Sequence, residues 1–129
     1  MPNPKMLRRV TGAPLYFCLC LGSGTAFADC TLFQHRDFEG ASWTLEDHER
    51  MKMVNGEDLG CQPFPCVSTT FEASWNDHLS SFRVDPGCEM TLWEHVNQDG
   101  AQFGPTGQSF DYVGTGWNDK ASEALCMCR

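Results

Sequence analysis

The sequence predicts an all-β fold in which two similar halves pack as one sandwich, and three observations support this prediction. Short apolar and β-branched runs recur along the chain, with Gly, Pro, Asn and Asp between them. No stretch shows a sustained period of 3.6 residues, so long amphipathic helices are not expected. Two sequence patterns each occur twice in the same order, as expected for a duplicated supersecondary unit.

Size and charge limit the classes of function. The chain has 129 residues, of which 41% are hydrophobic and 20% charged, as is typical of one globular domain. Its net charge is −8. This acidic balance argues against nucleic acid as a partner, because the phosphates would be repelled. It suits the binding of cations or basic surfaces, or it serves only to keep the protein soluble.

Residues 1–28 are predicted to be a signal peptide. They combine a basic start (KMLRRV), an apolar run (APLYFCLCLG) and small residues at Ala26 and Ala28, after which cleavage is expected. The apolar run is shorter than the roughly 20 residues that cross a membrane. We therefore expect a soluble mature chain, secreted or held in the lumen of a secretory granule. Loss of the three basic residues of the leader would take the net charge from −8 by three to −11.

The predicted strands are short and follow one another closely. In chain order they are CTLFQ, ASWTL, STTFEA, SSFRV, EMTLWEHV, AQF, SFDYV and EALCMC. The exception is the long, polar segment 46–67, which we interpret as an elaborated loop with one helical turn, pinned by Cys61 and Cys66. Within it, Met51 and Met53 are expected to fill gaps in the core rather than to form a binding surface.

The cysteines outside the leader indicate disulfides. An even number in a short exported chain predicts three bridges whose connectivity the sequence leaves open. Zinc ligation is the alternative, but neither C-x4-C nor C-x-C matches the usual two-residue knuckle. In a strand Cys126 and Cys128 would face the same side, which favours two separate partners. The six cysteines are Cys30, Cys61, Cys66, Cys88, Cys126 and Cys128.

Two patterns show the duplication. FQHRDFEG (33–40) and WEHVNQDG (93–100) have the same spacing. An aromatic residue opens each pattern, four residues separate it from a second side chain, and one more residue precedes a glycine. The glycine is expected to have positive φ. Each pattern precedes a strand and then a Trp-Asn-Asp-x-x-Ser stretch, at 75–80 and 117–122. Neither unit could bury its apolar face alone, so we expect the two to pack together.

These residues resemble the paired Greek keys of a βγ-crystallin domain, whose calcium-binding members have Asn/Asp-Asn/Asp-x-x-Ser/Thr-Ser in each key. Residues 76–81 (NDHLSS) match in full, whereas 118–123 (NDKASE) departs from the pattern at Glu123. The resemblance covers residues 30–128. It implies a disulfide-stabilised βγ-crystallin-like sandwich of two Greek-key motifs.

The resemblance also implies the domain boundaries. The mature domain would span 29–129, with the first key at about 29–86 and the second at about 87–129. Within the family the C-terminal half, from PGCEMTLWEH to SEALCMCR, is most similar to the syncollins, secreted proteins of exocrine storage granules. That narrower resemblance implies calcium-modulated association with a granule membrane surface or a granule glycoprotein.

Calcium suits these stretches chemically, because it takes about six to eight oxygens at roughly 2.3–2.6 Å in a loose geometry. Asn-Asp-x-x-Ser offers such oxygens within one tight turn. The resemblance implies that each ion lies between the two keys, with a carbonyl added by the opposite hairpin. Glu123 would join the ion or face water, and the Lys120 ammonium would point to solvent. The implied side-chain ligands are oxygens of Asn76 or Asp77 with Ser80, and of Asn118 or Asp119 with Ser122. A carbonyl of His78 or Lys120 would join them, and the opposite hairpin would add a carbonyl of Glu94 or Gln34.

Other interpretations remain open. The repeated stretches could be plain Asx turns that hold backbone without a metal. Catalysis is not expected, since the sequence has no Gly-x-Ser-x-Gly elbow, no His-Glu-x-x-His and no phosphate-binding glycine loop. The alternative function is a secreted protease inhibitor or antimicrobial toxin on the same scaffold, with Phe64 presented by the CQPFPC loop. Exposure of Phe64 would favour that alternative.

Overall fold

The structure is a computed structural model that describes residues 28–58, 60 and 67–129. The predicted leader and the segment that contains Cys61, Phe64 and Cys66 lie outside the described residues. Eight strands are present in this part of the chain: β1 (Asp29–His35), β2 (Glu39–Glu46), β3 (Glu49–Lys52), β4 (Ser68–Phe71), β5 (Ser81–Val84), β6 (Cys88–His95), β7 (Asp99–Thr106) and β8 (Glu123–Cys128). Two short 3₁₀ turns, Arg36–Phe38 and Ala73–Trp75, complete the elements.

The strands form two sheets, which confirms the all-β prediction. One sheet has the order β2-β1-β5 and the other has the order β4-β3-β8-β6-β7. All pairs are antiparallel except β3 with β4. The apolar residues of both sheets meet in one buried cluster, as in a two-sheet sandwich. Within the described residues, no helix has the length and apolar character needed to cross a membrane.

Each half contributes a segment to the sheet of the other half. After the β1–β2 hairpin, β3 leaves that sheet and pairs with β8. After the β6–β7 hairpin, Phe110 returns to bridge Phe82 of β5, with hydrogen bonds of 2.9 and 3.0 Å in both directions. This exchange places the segments that follow the two hairpins side by side at the seam of the sandwich.

Aromatic rings fill the core between the sheets. Phe82, Phe103, Phe110 and Trp117 form a chain of ring contacts with centroids 5.1–5.9 Å apart. Trp75, the tryptophan of the first repeated stretch, is 4% exposed. The two tryptophans therefore fix both repeated stretches to the same core.

Two disulfides are present among the described cysteines. Cys30–Cys126 joins β1 to β8 and so links the two sheets, and Cys88–Cys128 joins directly opposite residues of β6 and β8. Cys126 and Cys128 thus have separate partners, as predicted. The Cys30, Cys88 and Cys126 sulfurs lie within 4.8 Å of one another because the two bridges are neighbours. Sulfurs joined in bridges are not thiolate ligands for zinc.

The interpretation of segment 46–67 as a loop is wrong at its start, because β3 lies there. Met51 is fully buried, whereas its neighbours Arg50 and Lys52 are bound by partners distant in sequence, Glu123 and Asn97. A strand whose charges are paired by tertiary contacts looks like a polar loop in the sequence. Met51 and Met53 both pack in the core, as expected.

Candidate metal centre between the two bends

The two repeated stretches form matching bends, which we call the first bend (75–80) and the second bend (117–122). In each, the third residue after the tryptophan donates its amide to the tryptophan carbonyl, at 3.2 Å for His78 and 3.1 Å for Lys120. Asp77 and Asp119 both have φ of 58°. Asp tolerates this left-handed conformation better than most residues do. The sequence Asn-Asp therefore sets the same tight turn in both halves.

The bends are hydrogen-bonded to each other through their backbones. The Asp77 amide donates to the Ala121 carbonyl at 3.2 Å, and the Asp119 amide donates to the Leu79 carbonyl at 3.0 Å. Leu79 and Ala121 are fully buried. The two bends thus converge at the seam with a reciprocal, approximately two-fold arrangement.

The bends also exchange side-chain contacts. The Ser80 hydroxyl donates to the Asn118 amide oxygen at 2.6 Å, and the Ser122 hydroxyl donates to the Asn76 amide oxygen at 2.7 Å. The predicted ligand sets combined Ser80 with Asn76 or Asp77, and Ser122 with Asn118 or Asp119. The structure instead pairs the hydroxyl of each bend with the amide of the other, because the exchange of segments brings the bends together side by side.

Each bend is tied to the hairpin of its own half. The Ser80 amide donates to the Phe33 carbonyl at 3.0 Å, and the Ser122 amide donates to the Trp93 carbonyl at 2.9 Å. Phe33 and Trp93 are the aromatic residues that open the two hairpin patterns. These bonds bring the next residues, Gln34 and Glu94, beside the bends.

Two cavities lie between bends and hairpins. The hairpin-1 cavity has a volume of about 520 Å³ and the hairpin-2 cavity about 310 Å³. Oxygen-bearing side chains dominate both linings, together with imidazole rings. The first is lined by Gln34, His35, Arg36, Asp37, Glu39, His78, Ser80, Tyr112, Asn118 and Asp119, and the second by Asn76, Asp77, Glu94, His95, Asp119, Lys120 and Ser122.

Every residue predicted as a ligand lines one of these cavities. The hairpin-1 cavity brings together Gln34, His78 and Ser80 with Asn118 and Asp119 of the other half. The hairpin-2 cavity brings together Glu94, Lys120 and Ser122 with Asn76 and Asp77 of the other half. Asp119 lines both cavities. The predicted set is thus divided between two places, each of which draws on both halves.

The electrostatics of the hairpin-2 cavity centre on the Glu94 carboxylate. Lys120 Nζ lies 3.8 Å and His95 Nε2 3.9 Å from its two oxygens. The Lys120 side chain is 52% exposed, so this ion pair is largely screened by water. Lys120 was expected to point to solvent, and it is half exposed while it remains near Glu94.

The hairpin-1 cavity also has the carboxylates of Asp37 and Glu39, which are not among the predicted ligands. Its cationic side chain, Arg36, stacks over the Tyr112 ring at 4.1 Å from the ring centroid. This contact holds the guanidinium against an aromatic face. The acidic character of the pattern FQHRDFEG is the signal that could have indicated Asp37 and Glu39.

Glu123, the residue that departs from the repeated pattern, lines neither of these two cavities and does not face water. Its side chain is fully buried, and its Oε1 accepts a 2.7 Å hydrogen bond from the Asn97 amide. Its Oε2 lies 3.2 Å from Arg50 Nε. The expectation that Glu123 faces water is therefore wrong, and its carboxylate contacts Asn97 and Arg50.

The chemistry of both cavities suits a hard cation. Each presents a serine hydroxyl and an asparagine amide oxygen less than 3 Å apart, with carboxylates nearby. Calcium accepts such mixed oxygen ligands at roughly 2.3–2.6 Å, whereas zinc favours thiolate and imidazole in tetrahedral sites. The residues present thus fit calcium better than they fit zinc.

Comparison with solved structures finds βγ-crystallin domains. The N-terminal domain of protein S matches with a TM-score of 0.55 and 21% identity, covering 78% of this chain and 97% of that one. A βγ-crystallin domain from Clostridium beijerinckii matches with a TM-score of 0.53 and 17% identity, covering 77% and 97%. One from Flavobacterium johnsoniae matches with a TM-score of 0.50 and 20% identity, covering 78% and 94%.

No protein-family model and no curated protein matches the chain. The likeness is therefore one of fold: the described chain has the architecture of a βγ-crystallin domain.

Proposed function

We propose that the protein is a non-catalytic calcium-binding domain in which each cavity holds one Ca²⁺. The observation that carries this proposal is the reciprocal pairing of Ser80 with Asn118 and of Ser122 with Asn76, at 2.6 and 2.7 Å. Two neutral oxygens so close together, beside carboxylates, already have the spacing of adjacent ligands on one cation. Plain Asx turns would not require hydroxyl and amide to come from different halves.

The residues of each half would have complementary roles. The hairpin-1 cavity would use the Ser80 hydroxyl, the Asn118 amide oxygen and a carbonyl of Gln34 or His78. The hairpin-2 cavity would use the matching groups of Ser122, Asn76, and Glu94 or Lys120. Calcium would supply charge neutralisation at the seam and a link between the two halves. Each serine would lose its present hydrogen bond, so binding should be moderate, as in extracellular modules with Kd of about 10⁻⁴–10⁻³ M.

Binding of this strength would tune stability rather than decide folding. A tenfold excess of free calcium over Kd stabilises the native state by about 1.4 kcal/mol. Loss of a native disulfide from a small domain costs about 2–5 kcal/mol. We therefore expect a chain that folds without calcium and becomes more rigid with it.

Calorimetric titration of the metal-stripped chain with calcium tests the proposal. We expect two sites in the wild type and one in Ser80→Ala or Ser122→Ala, because each substitution removes a hydroxyl from one cavity. Ser42→Ala is the matched control, since Ser42 is exposed on β2 and lines neither cavity. A wild-type chain that gives no calcium-dependent heat would refute the proposal.

We further propose that the protein is exported and associates, under control of calcium, with a granule membrane surface or granule glycoprotein. The leader pattern of residues 1–28, the paired cysteines and the syncollin-like C-terminal half support this proposal. Sedimentation with liposomes or granule membranes, with and without calcium, is the test. Absence of sedimentation under both conditions would contradict it.

A further inference from the structure

The hairpin-2 cavity is lined by Glu94 and His95 at the end of β6, directly before the β6–β7 turn, and a buried carboxylate holds this turn in place. Glu123 is fully buried, and its Oε1 accepts the Asn97 amide at 2.7 Å. A buried carboxylate is costly unless it is paired and hydrogen-bonded. Arg50 supplies the compensating charge, with its Nε 3.2 Å from Oε2 but not hydrogen-bonded to it.

The turn that Glu123 holds has an unfavourable backbone. Asn97 and Gln98 are consecutive residues with φ of 64° and 59°. Left-handed conformations of this kind persist when surrounding contacts fix them. Lys52 adds a second contact, with its Nζ 2.9 Å from the Asn97 side-chain oxygen. Arg50 and Lys52 both belong to β3, so this strand and Glu123 hold the turn together.

The first half performs the same task with a different side chain. Ser81 occupies the position that corresponds to Glu123 in the repeated pattern. Its hydroxyl donates to the His35 carbonyl at 2.6 Å and accepts the Phe38 amide at 3.2 Å. Phe38 lies in the β1–β2 turn, beside the hairpin-1 cavity. A short neutral hydroxyl therefore holds one turn, and a long charged carboxylate holds the other.

We propose that Glu123 is the positioning residue of the hairpin-2 cavity. Glu123 acts through its hydrogen bond from the Asn97 amide, with Arg50 as its counter-ion. It thereby fixes the turn between β6 and β7, so that Glu94 faces Asn76 and Ser122 in the cavity. Ser81 has this role at the hairpin-1 cavity. The expected effect of Glu123 on calcium binding rests on the proposed calcium function, whereas the anchoring of the turn by Glu123 does not.

Amide hydrogen exchange in the calcium-free chain tests the anchoring directly. Glu123→Ser introduces the residue of the first half, whose hydroxyl there bonds the amide of Phe38, the counterpart of Gln98 and not of Asn97. We expect the Asn97 amide to exchange about tenfold to hundredfold faster, as for loss of a hydrogen bond to a charged group. The Phe38 amide should be unchanged. Ser81→Ala is the matched control, in which the Phe38 amide should exchange faster and the Asn97 amide should be unchanged.

Glu123→Gln distinguishes the hydrogen bond that anchors the turn from the charge of the carboxylate. It replaces Glu123→Ser in the test if that variant fails to fold. Gln keeps an acceptor oxygen of the same reach, so protection of the Asn97 amide should be largely restored. Unchanged Asn97 exchange in Glu123→Ser, or equally fast exchange in Glu123→Ser and Glu123→Gln, would overturn the anchoring role.

Calcium titration of the same variants tests the consequence. In Glu123→Ser the Kd of the hairpin-2 site should rise about 10- to 100-fold, as for loss of an outer-shell partner. The hairpin-1 site should be unaffected, and Ser81→Ala should show the opposite selectivity. Equal weakening of both sites would overturn the positioning role. If the wild type binds no calcium, the calcium proposal fails, and exchange at Asn97 still decides whether Glu123 anchors the turn.

Discussion

Short polar side chains in left-handed backbone positions define the candidate site at the scale of single residues. Asp77 and Asp119 share a φ of 58°, and the glycines that were predicted to need positive φ, Gly40 and Gly100, have φ of 82° and 78°. These features were predictable because they depend on local sequence. The role of Glu123 was not predictable, because its partners Asn97 and Arg50 come from the β6–β7 turn and from β3.

Asp29, at the start of β1, provides a residue-scale prediction about pH. Burial raises the pKa of the Asp29 carboxyl above its ordinary value of 3.8, and the nearby carboxylates of Asp85 and Glu46 contribute further. Glu46, at the end of β2, lies directly opposite Asp29 in the β1–β2 pair. The folded state therefore binds the Asp29 proton more tightly than the unfolded state does. The free energy of unfolding consequently falls as the pH rises from the ordinary pKa of Asp29 to its raised pKa.

Asp29→Asn should remove this loss of stability at higher pH. In the full chain at pH 7 we expect the free energy of unfolding to rise by about 0.2–1 kcal/mol, the effect of like charges placed opposite each other on neighbouring strands. The difference from the wild type should disappear below about pH 3.8, where Asp29 is protonated in both states. Urea denaturation at several pH values measures this. A variant less stable than the wild type at pH 7 would contradict the explanation.

At the scale of elements, β3 shows where sequence patterns are insufficient. Its sequence ERMK has one apolar residue, and its place between β4 and β8 depends on long-range pairing. The segment SFDYV was predicted as a strand, but only Phe110 bridges to β5. The more apolar strands β1, β5, β6 and β8 were predicted correctly, because their apolar residues recur at a spacing that is typical of strands.

Met51→Ala tests the contribution of β3. Met51 is fully buried between the sheets, and such truncations cost about 2–5 kcal/mol through lost burial and the cavity that remains. Met127→Ala on β8 is the matched control, since Met127 is only partly buried, and its loss should be smaller. Chemical denaturation of both variants measures the difference. Equal losses would indicate that β3 contributes no special stability.

At the scale of the whole molecule, the exchange of segments between halves creates the candidate site. The duplicated pattern predicted that two units would pack together, and the two-sheet architecture confirms it. The pairing of Ser80 with Asn118 could not be predicted from either bend alone, since it depends on which segment crosses to which sheet. The repeat therefore indicated which residues meet, but not which partner each one has.

The two described disulfides should differ in their effect on global stability. Cys30–Cys126 spans 96 residues and links the two sheets, whereas Cys88–Cys128 spans 40 residues within one sheet. Removing either pair by double Cys→Ala substitution should cost about 2–5 kcal/mol, and removing the longer link should cost more. Equilibrium denaturation compares the two double variants. A larger loss from the Cys88–Cys128 pair would contradict this ranking.

The most direct test of the proposed crossed calcium sites is a calcium titration of two double variants and of the wild type, for which we predict two sites. Ser80→Ala/Asn118→Ala removes both groups from one cavity, whereas Ser80→Ala/Asn76→Ala removes one group from each. We predict that the first variant keeps one calcium site and that the second loses both. One remaining site in the second variant, together with none in the first, would contradict the crossed arrangement.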